Sequence, residues 1–240
     1  MTAGRLYDRI GHTYNAQRRT EPRIAERIWA ALGDARTVLN VGAGTGSYEP
    51  PDREVTAVEP SPVMRAQRPV GAPQCIDARA ESLPFEERSF DAAMAVLSDH
   101  HWDNRDAGLR ELRRIARRRV VVFTWDPSFA DAFWLTRDYL PGFNRMPSMS
   151  IEQVVECIDG TRIHPVPIPH DCCDGFYHAF WRRPAAYLDE RVRDGISVFA
   201  RIVESETADM VCRLRADLES GAWQERNADL LGLEEVDLSY

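Results

Sequence analysis

A short apolar run that breaks into three alternate glycines, TVLNVGAGTG (37–46), constrains this chain more than any other stretch. The run reads as a buried strand. Gly42, Gly44 and Gly46 let the backbone turn sharply at its end and approach a ligand where a Cβ would clash. Such a strand end suits an open α/β sheet, in which ligands sit beyond the C-terminal ends of the strands. EVTAVE (54–59), QCID (74–77), FDAAMAVL (90–97) and VVVFTW (120–125) read as four further strands. ERIWAAL (26–32), stopped by Gly33, reads as a helix. So does the stretch from Asp103 to Arg119, acidic at its start and arginine-rich at its end, with Leu109, Leu112, Ile115 and Ala116 as its inward stripe. Strands alternating with helices predict a mostly parallel sheet with helices on both faces, a Rossmann-like α/β fold.

The second half differs in character. SIEQVVECIDG (150–160) reads as a helix with a capping box from Ser150 to Gln153. TRIHPVPIP (161–169) suits only an edge strand, because proline cannot donate to a central ladder. Two amphipathic helices are expected near 185–204 and 206–219, and EEVDLSY (234–240) suits a last strand. No linker separates the halves. The expectation is one domain, 1–240: a helical cover at 1–36, a ligand-binding core at 37–126, and a lid with a helical insertion at 127–235.

Composition removes whole classes of function. The net charge of −8 opposes a nucleic-acid partner held through phosphates, and the run Arg113–Arg119 reads as a solvated helix end. All 30 basic residues are arginine. Without lysine there is no Schiff base with a carbonyl substrate or pyridoxal phosphate, and no Walker-loop cation. Arginine replacing lysine throughout also suits a GC-rich genome. No apolar run approaches membrane-spanning length, and the start of the chain has no signal-like stretch. Five cysteines without C-x-x-C pairing fit a reduced, cytoplasmic chain. His164, His170, His178, Cys172 and Cys173 match no zinc spacing, so no metal is expected.

The glycine spacing separates cofactor types. A dinucleotide site uses G-x-G-x-x-G, with a helix N-terminus facing the pyrophosphate. Here the pattern is G-x-G-x-G, and Pro50 and Pro51 curtail the helix that should follow. A diphosphate loses its support, whereas a ribose-bearing cofactor without phosphate needs none. Glu59, ending the second strand, can accept hydrogen bonds from both ribose hydroxyls.

Three ordered stretches, VLNVGAGTG, VTAVEPSPVM and AESLPFEERSFDAAMAVLSDHHW, together resemble the class I S-adenosylmethionine-dependent methyltransferases. The LPF…SFD spacing resembles the subgroup that methylates small molecules. The resemblance implies that Gly42, Ala43 and Gly44 pass beneath the cofactor and that Glu59, followed by Pro60, holds the ribose. It also implies that Met64 packs on adenine, that Ala80 and Glu81 border the ring, and that Leu97 and Ser98 lie near the sulfonium. The leading segment would fold over the cofactor, with Tyr14 reaching the site and Arg18 or Arg19 pairing with the carboxylate. Two positions depart from the family pattern. Asn40 stands where an acid is usual, and Arg79 where the adenine loop usually has Asp.

Methyl transfer needs donor and acceptor aligned and, for an O–H or N–H acceptor, a base. His100 and His101 stand at the end of the fourth strand and suit that role, with Asp99 as the cap of the next helix. The aromatic stretch 125–143 suits either a lid or a core helix, and 169–184 resembles a segment of a bacterial subset of these enzymes. The function expected is methylation of a small molecule, a specialised metabolite among the candidates. Two other uses stay open: S-adenosylmethionine cyclising or assisting a rearrangement, and a non-catalytic cofactor-binding module.

Overall fold

The computed structural model describes residues 17–143, 149–160 and 162–240. Two compact units divide them, one formed by 20–125 and 149–164, the other by 17–19, 126–143 and 165–240.

The first unit holds a parallel sheet of five strands: β1 (Thr37–Val41), β2 (Glu54–Val58), β3 (Cys75–Ile76), β4 (Phe90–Val96) and β5 (Ala116–Phe123). Their order is β3-β2-β1-β4-β5. The order reverses between β1 and β4, and the crevice of such a sheet opens at that point. β1 pairs with β2 over its whole length and with β4 through Val38–Asn40. The parallel α/β sheet is thus as the residue pattern predicts. Helix α1 (Pro22–Ala31) starts at Glu21, whose side chain accepts the Arg23 N–H, and Pro22 opens its first turn. α2 (Pro62–Ala66) follows β2, α3 (Arg105–Ile115) links β4 to β5, and α4 (Ile151–Cys157) packs against α3. α4 carries the expected capping box, Ser150 to Gln153. Leu39, Val41, Val58, Ala93, Ala95, Leu109, Leu112 and Val154 share one fully buried core.

No helix lies between β1 and β2. Tyr48 occupies that part of the unit. It is buried at the left-handed φ of 66° and lies 6.4 Å from the Phe123 ring. Its N–H donates to Thr20 Oγ1 at 3.1 Å, and its carbonyl accepts the Trp29 indole N–H at 2.8 Å. α1 and one tyrosine therefore stand where the alternation calls for a helix.

One boundary differs from the sequence expectation. The arginine run is not a helix end. α3 stops at Ile115, and Ala116–Arg119 begin β5, paired with Phe90 and Ala92 of β4. Ladder pairing overrides the charge pattern, and the arginines find surface acids, Arg117 with Asp91 at 3.1 Å and Arg118 with Asp34 at 2.9 Å.

The second unit contains β6 (Ile168–Pro169) and β7 (Glu235–Val236), an antiparallel pair, so the proline-rich and C-terminal stretches do supply edge strands. Its helices are α5 (Glu190–Asp194), α6 (Glu204–Ser220) and α7 (Ala222–Arg226). The helix expected over 185–204 is broken: a 3-10 turn spans Pro184–Leu188, Asp189 is extended (φ −80°, ψ 120°) and caps α5, and Gly195 ends it. The aromatic stretch is likewise two short pieces, Pro127–Ala132 and Leu135–Tyr139. Phe133 is buried, while Phe129 is 54% exposed. Trp134, Trp181, Trp223 and Tyr187 fill this core, the Trp134 indole donating to the Trp181 carbonyl at 2.8 Å. Burial pushes the His178 imidazole down to about 3, and its Nδ1 lies 2.6 Å from the Tyr240 hydroxyl.

Candidate cofactor and acceptor site

β1 delivers the glycine loop to the crevice. Gly42 (φ 70°), Gly44 (φ 53°) and Gly46 (φ 97°) all adopt left-handed geometry. The amides of Gly42 and Ala43 both donate to the Val58 carbonyl, at 2.9 and 3.0 Å, which ties the loop to the end of β2. Space also requires glycine at 42, since a Cβ there would lie 2.6 Å from Ser98 Cβ. A Cβ on Gly44 would meet the Met64 methyl at 3.3 Å, so Met64, buried on α2, faces the loop.

Glu59 is buried just past β2. Its Oε2 accepts the Gly44 N–H at 2.8 Å and its Oε1 the Ser61 N–H at 2.9 Å. Each carboxylate oxygen keeps a second lone pair, enough for a vicinal diol. Burial raises the Glu59 carboxyl above its ordinary range, partly offset by the two N–H donors and by Arg65 and Arg68. Pro60 carries the chain into Ser61, whose hydroxyl caps α2 by accepting the Met64 N–H at 3.3 Å.

The departures have their own arrangement. Asn40 donates through Nδ2 to Glu49 Oε1 at 3.1 Å, and Glu49 is bridged by Arg68 at 2.9 Å. The acid missing at 40 is thus supplied from the turn after the glycines, its carboxyl raised by burial against the pull of Arg68. Arg79 pairs with Asp103 and lies 3.8 Å from Glu81 Oε2, while Glu81 Oε1 accepts the Asn104 N–H at 3.0 Å. Asp77 is taken by Arg65 at 2.9 Å. Ala80 is buried beside Trp102 and Gly108.

The β4 end is the most constrained part. Leu97 takes a left-handed φ of 50°, rare for a branched side chain, and its N–H donates to the Phe123 carbonyl at 2.8 Å. Ser98 Oγ donates to the Val41 carbonyl at 2.9 Å, joining the two strands that flank the crevice. Asp99–His101 form a 3-10 turn. Contrary to the sequence expectation, Asp99 does not cap α3; Asn104 does, accepting the Ala107 N–H at 3.1 Å. Asp99 is wholly buried and pairs with Arg105, whose Nε and Nη2 reach its Oδ2 at 2.8 and 2.5 Å. Arg105 also donates to Thr124 Oγ1 and to the Met149 carbonyl. Burial pushes the Asp99 carboxyl up, but His100 and Arg105 outweigh it and hold it below the usual range. The His100 and His101 rings are 3.9 Å apart; His101 is buried and His100 is partly exposed.

Arg18 belongs to the second unit, where it forms a two-pronged pair with buried Asp174 at 2.6 and 3.2 Å. Tyr14 lies outside the described residues. The Trp102 indole Nε1 lies 3.3 Å from a Cβ position on Gly42, and its ring rests on Gly108 and Ala80. A glycine inside a helix signals such close approach, and Gly108 was the available cue. Among the described residues, no three His, Cys, Asp or Glu side chains gather as a metal would need, and no helix is long and apolar enough to cross a membrane.

A positive-φ glycine loop, an acid with spare lone pairs at the next strand end and no helix N-terminus behind the loop define an α/β protein for a nucleoside cofactor without diphosphate. The family profile described as a methyltransferase domain matches residues 39–124. A solved structure from Anabaena variabilis, proposed to be a methyltransferase of an antibiotic biosynthesis pathway, is 31% identical with a TM-score of 0.85, covering 93% of this chain and 96% of that one. The demethylmenaquinone methyltransferase of Thermotoga maritima is 30% identical over 50% of this chain and 60% of its own. A malonyl-[acyl-carrier protein] O-methyltransferase of Pseudescherichia vulneris is 30% identical over 49% of this chain and 51% of its own. The chain thus spans about half of these curated relatives. It belongs to the class I S-adenosylmethionine-dependent methyltransferases.

Proposed function

We propose that this protein transfers a methyl group from S-adenosylmethionine to a small-molecule acceptor in the cytoplasm. The reading rests most on Glu59, a buried carboxylate fixed by Gly44 and Ser61 with one lone pair per oxygen left for a ribose diol. Gly42 and Gly44 let the loop pack closely on Ser98, Trp102 and Met64, and Met64 and Trp102 offer apolar contact to a base. When bound, S-adenosylmethionine supplies an electrophilic methyl carbon on a sulfonium. The chain's own part is to orient the acceptor, exclude water and take a proton, with His100 and His101 at the β4 end the groups suited to it. The two curated relatives bear names with different acceptors, a quinone precursor and a carrier-bound acid, so kinship leaves the acceptor itself open. The overall negative charge supports a small-molecule acceptor over a nucleic acid held through its phosphates.

The test is incubation with methyl-labelled S-adenosylmethionine and a panel of small hydroxyl, amine and carboxyl compounds. Label should enter the small-molecule fraction with one S-adenosylhomocysteine per methyl. Methylthioadenosine as the product, or label confined to protein or nucleic acid, contradicts the proposal.

A further inference from the structure

The two oxygens of buried Asp99 are held differently. Oδ2 is held by Arg105 through Nε and Nη2, and Arg105 is itself anchored to Thr124 and Met149. Oδ1 is buried and has no hydrogen-bond partner among the described residues. A buried carboxylate oxygen left without a partner costs free energy, so its retention calls for a use. The nearest opposite group is the Nδ1 of His100, 3.7 Å away. The His100 ring is partly exposed, and the buried His101 ring lies 3.9 Å from it at a tilt of 51°. Leu97, in its left-handed conformation, and Ser98, bonded to Val41, fix the turn that carries both groups.

We propose that Asp99 is a positioning residue: it selects the tautomer of His100 that carries its proton on Nδ1, which leaves the Nε2 lone pair free to take the proton of a hydroxyl acceptor. This rests on the methyl-transfer reading and narrows it to acceptors that must lose a proton, alcohols and phenols above all. The acceptor oxygen forms a new bond to the methyl carbon with its own lone pair. The carbon–sulfur pair returns to the sulfur of S-adenosylmethionine, and the O–H proton passes to His100 Nε2, whose positive charge Asp99 then offsets through Nδ1–H. Arg105 keeps the carboxylate ionised and aimed, which is why a fully buried acid can serve here.

Long-range proton–nitrogen correlation spectra of the uniformly nitrogen-15-labelled full chain, at about pH 8 where an ordinary imidazole is neutral, report each histidine's tautomer. His100→Gln assigns the His100 signals. His100 should be protonated on Nδ1 by about tenfold or more over Nε2, the bias expected of a buried carboxylate facing Nδ1 across 3.7 Å. In Asp99→Asn the carboxamide oxygen can still face Arg105 while its NH2 faces His100, so the preference should invert. A wild-type His100 protonated on Nε2, or an unchanged tautomer in Asp99→Asn, overturns the proposal. If Asp99→Asn does not fold, the wild-type spectrum alone decides. The spectrum needs no cofactor, so failure to bind S-adenosylmethionine would count against the methyl-transfer reading and leave this result separate.

Discussion

Gly42 combines two demands that only glycine meets, a φ of 70° and a Cβ position 2.6 Å from Ser98. Gly42→Ala should therefore lower stability by about 1–3 kcal/mol. It should also weaken S-adenosylhomocysteine binding about tenfold or more, because relief of the clash moves either the loop or the β4 end. Urea unfolding and titration calorimetry check both, and unchanged values would show that the loop is slack. The places of Gly42, Gly44, Glu59 and Met64 were legible because each answers a local requirement: a turn, a strand end, a packed helix start. Trp102, Tyr48 and the Asn40–Glu49–Arg68 chain were not, because their roles depend on neighbours distant in sequence. Arg68 meets Glu49 across 19 positions and Trp29 meets Tyr48 across the same span. Asp99 was misread for that reason too. An acid before a helix is a good cap by local rules, but Arg105 is a stronger partner once burial removes water.

At the scale of elements, β1 and β4 are stitched by a reciprocal pair. Asp91 Oδ2 accepts the N–H groups of Arg36 and Thr37 at 2.9 and 3.2 Å, and the Asp91 N–H donates to Thr37 Oγ1 at 2.9 Å. The two backbone donors hold the Asp91 carboxyl below its ordinary value of 3.8, with smaller help from Arg118 and Arg117. A depressed acid stabilises the fold above its unfolded pKa and loses that contribution as pH falls through the lower folded one. Asp91→Asn should thus cost about 1–2 kcal/mol at neutral pH, and the gap between variant and wild type should close in acid below about 3.8. Urea midpoints measured across pH give the result; a gap that persists in acid would locate the loss in packing instead. Strand positions in the sheet were readable to within a residue or two at most boundaries, since buried parallel strands are short apolar runs. The arginine run defeated the same logic. Its charge suited a helix end, but pairing with β4 decided its conformation. In the second unit, Asp189 and Gly195 break an amphipathic pattern that periodicity alone reads as continuous.

For the whole molecule, the absence of lysine, the negative charge and the loop spacing each removed a class of function before any contact was known. What remained was the choice between a dinucleotide and a phosphate-free nucleoside cofactor. The turn from Gly42 to Arg53 bears on it physically: with no helix behind the glycines, no macrodipole is there to face a diphosphate, and the buried Glu59 carboxylate lies beside Gly44 instead. The most direct measurement is titration calorimetry of the full chain with S-adenosylmethionine and, separately, with NAD. Saturable one-to-one binding of S-adenosylmethionine with no heat from NAD is the predicted result. Binding of NAD with none of S-adenosylmethionine would contradict it.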